Sequence, residues 1–217
     1  MQLSASLSPA ERALLERWLD ELYLWNPRVN LTAVPRELAW GRHVEESMGL
    51  LEAAAPAPRS RLVDVGSGGG APAIPISVLR PDLRLLLIEA DARKAAFLVH
   101  VAGMLRLGAV AVARRRAEDV GRDPELRERF DLATSRATAA PGTLCELALP
   151  LLRVGGLLTA LVGDAEAAVL QAEVAARQCG GGVPRAARDG ILVVTKERPT
   201  PDRFPRRSGV PARRPLG

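Results

Sequence analysis

The stretch Leu62-Val63-Asp64-Val65-Gly66-Ser67-Gly68-Gly69-Gly70-Ala71-Pro72 constrains this chain more than any other. A short apolar run ends in a cluster of glycines, and helix-forming sequence resumes over 74–79. A buried strand that turns at once into a helix needs such glycines. They let the backbone bend tightly and approach a neighbour or a ligand with no side chain between. The chain beyond residue 61 repeats this strand-then-helix theme. Strands are expected over 62–65, 85–89, 110–113, 130–134 and 156–161, and helices over 74–79, 92–107, 143–152 and 165–178. Alternation of that kind implies a parallel sheet with helices on both faces, a doubly wound α/β fold. Near the end, Gly180-Gly181-Gly182 precedes two β-like pieces, 183–186 and 191–195, around the turn signal Asp189-Gly190. The mostly parallel sheet is therefore expected to finish in an antiparallel hairpin.

The first 55 residues read differently. Ser8-Pro9-Ala10-Glu11 is a capping box with proline at the first helical position, and Leu14, Leu15, Trp18, Leu19 and Leu22 follow at helical spacing. This helix is expected to stop near Asn26-Pro27, and a second to run from Pro35 to about Ala55. The expected organisation is a helical cap over 1–58, an α/β core over 59–197 and a basic, proline-rich tail over 198–217, packed as one domain.

Composition narrows the function classes. No apolar run approaches 18 residues, and no basic stretch followed by a hydrophobic one opens the chain, which argues against a membrane span or a secretory signal. Cys145 and Cys179 lack metal-ligand spacing and read as small core or surface residues of a cytoplasmic protein without a metal. The net charge is +5, but residues 184–217 alone hold nine cations and three anions, a balance of +6. A basic end with six prolines suits a phosphate backbone.

Two ligands compete for the glycine loop. Gly66-x-Gly68-x-x-Ala71 fits the dinucleotide fingerprint, whereas Asp64-x-Gly66-x-Gly68-x-Gly70 fits the S-adenosylmethionine loop of methyltransferases. A pyrophosphate wants no carboxylate nearby. The ammonium and sulfonium of S-adenosylmethionine suit Asp64. Glu89, at the end of the next strand with Asp91 close behind, can hydrogen-bond ribose hydroxyls in either case. The loop Arg116-Ala117-Glu118-Asp119 after the third strand could face an adenine, with Glu118 as a plain helix-start carboxylate the alternative. Arg136 ends the fourth strand and points into the same crevice, with a surface ion pair as the alternative. Among the few aromatic residues Trp40 and Phe204 are the candidates for stacking on bases, and packing is the competing role.

These residues, taken in order, resemble the bacterial family known as glucose-inhibited division protein B (RsmG), S-adenosylmethionine-dependent methyltransferases of a guanine N7 in 16S small-subunit ribosomal RNA. The resemblance is carried by Asn30-Leu31-Thr32-Ala33-Val34, Arg42-His43 with Glu46-Ser47, the loop Asp64 to Gly68 with Pro72 and Ile74-Pro75, Glu89 with Arg93-Lys94, Ala117-Glu118, Ser135-Arg136-Ala137, and Phe204-Pro205-Arg206-Arg207 with Gly209 and Pro211. It implies a Rossmann-like class I methyltransferase fold. It implies that Asp64, Gly66, Ser67, Gly68, Ala71, Glu89, Ala90, Asp91, Ala117, Glu118 and Arg136 hold S-adenosylmethionine. Arg42, His43, Arg206 and Arg207 would then face ribosomal RNA or the small-subunit particle, with the protein a monomer. Arg136, Arg42 and His43 are the candidates for positioning the base.

Guanine N7 offers a lone pair and no proton, so no general base is needed. The chain departs from the family's pattern at Ala71, Ala73, Glu45 and Glu46. It also departs at Val162, which precedes Gly163 where the family typically has lysine. A methyltransferase of another substrate, or a non-catalytic RNA-binding paralogue, remains the alternative.

Overall fold

The computed structural model describes residues 7–136, 138–187 and 190–216. Seven strands form one sheet: β1 (Arg61–Val65), β2 (Arg84–Ile88), β3 (Val110–Ala113), β4 (Phe130–Arg136), β5 (Leu152–Leu161), β6 (Arg185–Ala187) and β7 (Ile191–Thr195). Their order across the sheet is β3-β2-β1-β4-β5-β7-β6. The first five run parallel, while β7 is antiparallel to β5 and β6 antiparallel to β7. The expected hairpin is present, although Asp189 of its turn lies outside the described residues.

Successive side chains of a strand alternate between the two faces of the sheet. Here Leu62 of β1 and Ile191 and Val193 of β7 join one apolar core, while Val63, Val65, Leu192 and Val194 join the other. The first core is covered by α1 (Pro9–Val29), α2 (Glu46–Ala54), α3 (Ala73–Leu79) and α4 (Ala92–Met104). The second is covered by α5 (Ala117–Val120), α6 (Pro141–Ala148), α7 (Ala165–Gln178) and the buried Phe204. Both cysteines are buried in the second core, where the low-polarity surroundings raise the Cys179 thiol to about 12.

Two expectations at the N-terminus are corrected. The helix α1 does not stop at Asn26-Pro27 but carries Pro27 inside its last turn and ends at Asn30, in the left-handed conformation. The lost N–H of the proline is outweighed by side-chain ties just beyond it. Asn26 Oδ1 accepts the N–H groups of Leu31 and Thr32, and its Nδ2 donates to Thr32 O. The second helix is not continuous α-helix from Pro35. A single 3₁₀ turn over Arg36–Leu38 leads into a π-helical segment, Trp40–Glu45, and only then into α2. Segments of π-helix are uncommon and recur at functional sites.

The C-terminal segment folds back onto the core. Phe204 and Pro211 are buried, and a short helix, α8 (Val210–Arg213), packs beside α6. Fully buried Lys196 anchors its root by donating to Leu149 O (2.6 Å) and Thr200 Oγ1 and by pairing with Glu128 (3.2 Å).

Candidate active site

The sheet switches direction between β1 and β4, its central pair, since β1 is followed by strands on one side and β4 by strands on the other. Doubly wound folds bind ligands in the crevice outside the carboxyl ends of strands at such a switch point. A cavity of about 840 Å³ lies there, lined by the glycine turn, Glu89, the 115–118 loop, Arg136, Thr138, and cap residues including Thr32 and Arg42. That size suits a cofactor.

The glycine turn is held from both sides. Gly66 and Ser67 donate to Ile88 O, each at 3.0 Å, and Gly68 donates to Glu89 Oε2 at 2.9 Å. From the cap, the Trp18 indole donates to Gly69 O (3.1 Å), and a Cβ on Gly69 would meet Leu22 at 2.7 Å. Gly66 has φ +75°, and a Cβ there would collide with the Thr138 side chain. The turn is therefore glycine-rich for packing reasons as well as for access to a ligand.

Under the turn sits a row of buried polar side chains. The strand register pairs Asp64 with Thr134 and Thr134 with Thr159. Thr134 Oγ1 donates to Asp64 Oδ1 at 2.7 Å, while Asp64 Oδ2 has no partner among the described residues. Burial raises the Asp64 carboxyl to about 6, against the lowering pull of the Thr134 and Ser67 hydroxyls and of Arg136. The Ser67 hydroxyl itself donates to the Asp64 backbone carbonyl (3.1 Å). An unpartnered carboxylate oxygen is expensive to bury and marks a place where a cation is welcome. The cavity wall itself carries five cations (Arg42, Lys94, Arg115, Arg116, Arg136) and three anions (Glu46, Glu89, Glu118).

The chain matches the family described as GidB, rRNA small subunit methyltransferase G, over residues 11–186. The chain belongs to this family. It is 42% identical to the ribosomal RNA small subunit methyltransferase G of Chloroflexus aggregans, over 97% of this chain and 92% of that protein. It is 38% identical to the protein of the same name from Moorella thermoacetica, with the same shares of the two chains covered. Among solved structures it resembles an S-adenosylmethionine-dependent O-methyltransferase of Thermotoga maritima, with a TM-score of 0.58 at 12% identity, covering 85% of this chain and 72% of that one. The T. thermophilus 16S rRNA N2 methyltransferase RsmC, solved with AdoMet and guanosine, is similar over 70% of this chain and 39% of that one, with a TM-score of 0.51 at 17% identity. These structural likenesses agree with a Rossmann-like methyltransferase fold.

For a GidB-family chain, most expected site residues converge. Gly66, Ser67, Gly68, Ala71, Glu89, Ala90, Ala117, Glu118, Arg136 and Arg42 all line the cavity. Glu118 is also a helix-start carboxylate, in the first turn of α5. Arg136 is half-buried and donates from Nη1 to Arg42 O (2.6 Å), and Arg42 pairs with Glu46 at 2.6 Å.

Two of the expected acids sit off the cavity wall, and the expectations for His43, Arg206 and Phe204 are corrected. Asp64 lies beneath the turn rather than on the wall. Asp91 caps α4, its Oδ1 accepting from Arg93 and Lys94 N–H groups, and does not line the cavity. His43 is fully buried against Trp18, with Nε2 at 3.1 Å from Thr32 Oγ1, so it cannot face RNA. Burial and the neighbouring Arg136 and Arg42 lower its pKa to about 3, which keeps it neutral. Arg206 is bound to the fully buried Glu146 through Nε (2.8 Å) and Nη2 (2.6 Å), so its charge is already matched within the protein. Phe204 likewise packs in the core, while Arg207 stays exposed. Val162 lines the cavity as an apolar residue, and Ala137 lies outside the described residues.

Sequence reasoning missed Thr138, Arg115, Leu147 and Ala212 on the wall. Thr138 had a signal, because it follows a strand end at the switch point. Ala212 had none, being 146 residues from Gly66 in the chain.

Proposed function

We propose that this chain transfers a methyl group from S-adenosylmethionine to N7 of a guanine in small-subunit ribosomal RNA. The observation that carries the proposal is the composition of the switch-point cavity. A glycine turn, Glu89 at the strand end and a buried Asp64 with an unpartnered oxygen fit an aminoacyl nucleoside cation better than a pyrophosphate. Family membership supports the RNA class of substrate.

When bound, the cofactor supplies an electrophilic methyl group on sulfur. Everything else is the work of the chain. Glu89, already oriented by the Gly68 and Asp91 N–H groups, has lone pairs left for ribose hydroxyls. Leu147, Ile88 and Ala117 give the cavity apolar surface for a ring. Asp64 lowers the cost of holding positive charge near the turn. Guanine N7 bears no proton, so the protein need only hold it in line with the methyl group and exclude water. Arg136 and Arg42 line the cavity side by side, and a guanidinium there can donate to guanine O6. Exposed Arg207 is one of the tail cations available to phosphate.

The test uses labelled S-adenosylmethionine with ribosomal RNA from cells lacking this enzyme, as naked RNA and as small subunits. Reduction and aniline cleavage then break the strand at N7-methylguanine. One cleavage site in the small-subunit RNA is expected. Label found elsewhere would move the substrate to another class, the outcome that the apolar Val162 on the cavity wall favours. No label transfer to any RNA would sink the catalytic reading.

A further inference from the structure

The wall of the cavity includes a residue from the far end of the chain. Ala212 lines it, on the side where Thr143, Leu147, Ala117 and Glu118 also do, yet Ala212 is exposed and fills no space in the protein's own core. The segment that carries it is fastened at every step. Arg206 is held by buried Glu146, Ser208 Oγ donates to Asp119 Oδ1 at 2.9 Å, and Pro211 is buried with its carbonyl accepting from Thr143 Oγ1 at 3.1 Å.

Between these ties, Gly209 adopts φ +78° and donates its N–H to Glu118 Oε1 at 2.8 Å. A side chain at 209 would be strained in that conformation. Glu118 is 3% exposed, and Arg116 stands 3.6 Å from the same Oε1. The direction of the Glu118 carboxylate is thus set by the tail, 91 residues away in the chain.

We propose that residues 206–214 are the adenosine-side wall of the cofactor cavity, with Gly209 orienting Glu118 and Ala212 leaving the room that a nucleoside ring occupies. The proposal deepens the cofactor reading above and rests on it. It also reassigns the basic tail. The segment closes a small-molecule site first, and only its outward cations are left for RNA. A ligand touching both the core and this segment must favour the docked segment by mass action.

The experiment measures S-adenosylhomocysteine affinity by calorimetry on the parent, Ala212→Trp and, off the cavity wall on α7, Leu170→Trp, beside trypsin cleavage of the parent after Arg207 and Arg213. Because residues 212 and 170 are exposed, neither variant should shift the cofactor-free Tm. Ala212→Trp is expected to weaken affinity at least about tenfold, a change of about 1.4 kcal/mol, while Leu170→Trp binds as the parent does. Saturating S-adenosylhomocysteine is expected to slow both cleavages about tenfold or more. Parent-like affinity in Ala212→Trp, or cleavage rates indifferent to the ligand, overturns the proposal while leaving the cofactor reading intact. A parent that does not bind S-adenosylhomocysteine removes both.

Discussion

The glycine turn at residues 66–70 and the C-terminal segment at 204–214 close the same cavity, but different forces hold them. The turn is held by backbone hydrogen bonds to β2 and by apolar pressure from the cap, with Leu22 and Leu31 against Gly69 and the Trp18 indole on its carbonyl. The segment is held largely by charge-assisted contacts. Arg206 meets a buried carboxylate, Arg127 donates to Thr200 O and Phe204 O, and Gly209 meets Glu118. A feature held by local backbone geometry is written in consecutive residues. A feature held by ion pairs depends on where distant partners fall. That is why the tail, read as a basic end suited to a phosphate backbone, turns out to have one of its arginines already neutralised.

The comparison breaks most easily at Arg206. Arg206→Ala leaves Glu146 buried with no cation, which should destabilise the protein by about 3–5 kcal/mol in denaturant titration. A loss under about 1 kcal/mol would mean that the tail is held by its apolar residues instead, as the turn is.

Asp64→Asn probes the turn with the opposite sign. In the folded parent Asp64 titrates near 6, above its unfolded value of 3.8, so its contribution to stability is lost as pH rises through that window. At pH 7.5 the asparagine variant should therefore be more stable than the parent without cofactor, by about 2–3 kcal/mol, and should bind S-adenosylmethionine more weakly. A variant that is both less stable and equally competent in binding would contradict the account of the unpartnered oxygen.

The same variant exposes a third effect. His43 titrates at about 3 when folded and near 6.5 when unfolded, so the unfolded chain takes up a proton that the folded one refuses. Stability should fall as pH drops from about 6.5 towards 3, at up to about 1.4 kcal/mol per pH unit. The parent masks part of this slope because Asp64 contributes oppositely between 3.8 and 6. Thermal melts across that range should show a steeper acid limb in Asp64→Asn than in the parent.

Trp18→Phe keeps most of the packing but removes the N–H that reaches Gly69 O, so a loss of about 1 kcal/mol is expected in the same titration. Arg207→Ala is the smallest change. Stability should stay within about 0.5 kcal/mol, as for an exposed residue, while the salt dependence of RNA binding loses about one unit of slope. An unchanged slope would take Arg207 off the RNA surface.

Much of this could be read from the chain. The parallel strands follow from short apolar runs, because a strand buried on both faces must be apolar throughout. β3, β7 and α7 fall at their expected bounds, and the capping box at Ser8 is present as written. The glycine turn with Glu89 was legible because its chemistry lies within about one strand–helix–strand unit. Pro27 misled, since the loss of one N–H is a local argument and the ties of Asn26 lie several residues further on. Asp91 has a local role that its position already allowed, its Oδ1 accepting the nearest orphan N–H groups of α4.

What the sequence determined by itself is the alternation of strands and helices, the switch-point turn and the acid that follows it, all set by neighbours within a few dozen residues. Tertiary structure decided which charges are free. Burial makes His43 a neutral packing residue, Glu146 neutralises Arg206, and Gly209 fixes one oxygen of the Glu118 carboxylate. Burial and long-range pairing depend on where the chain returns in space, and a charge keeps its full reach only where water, not a partner, surrounds it.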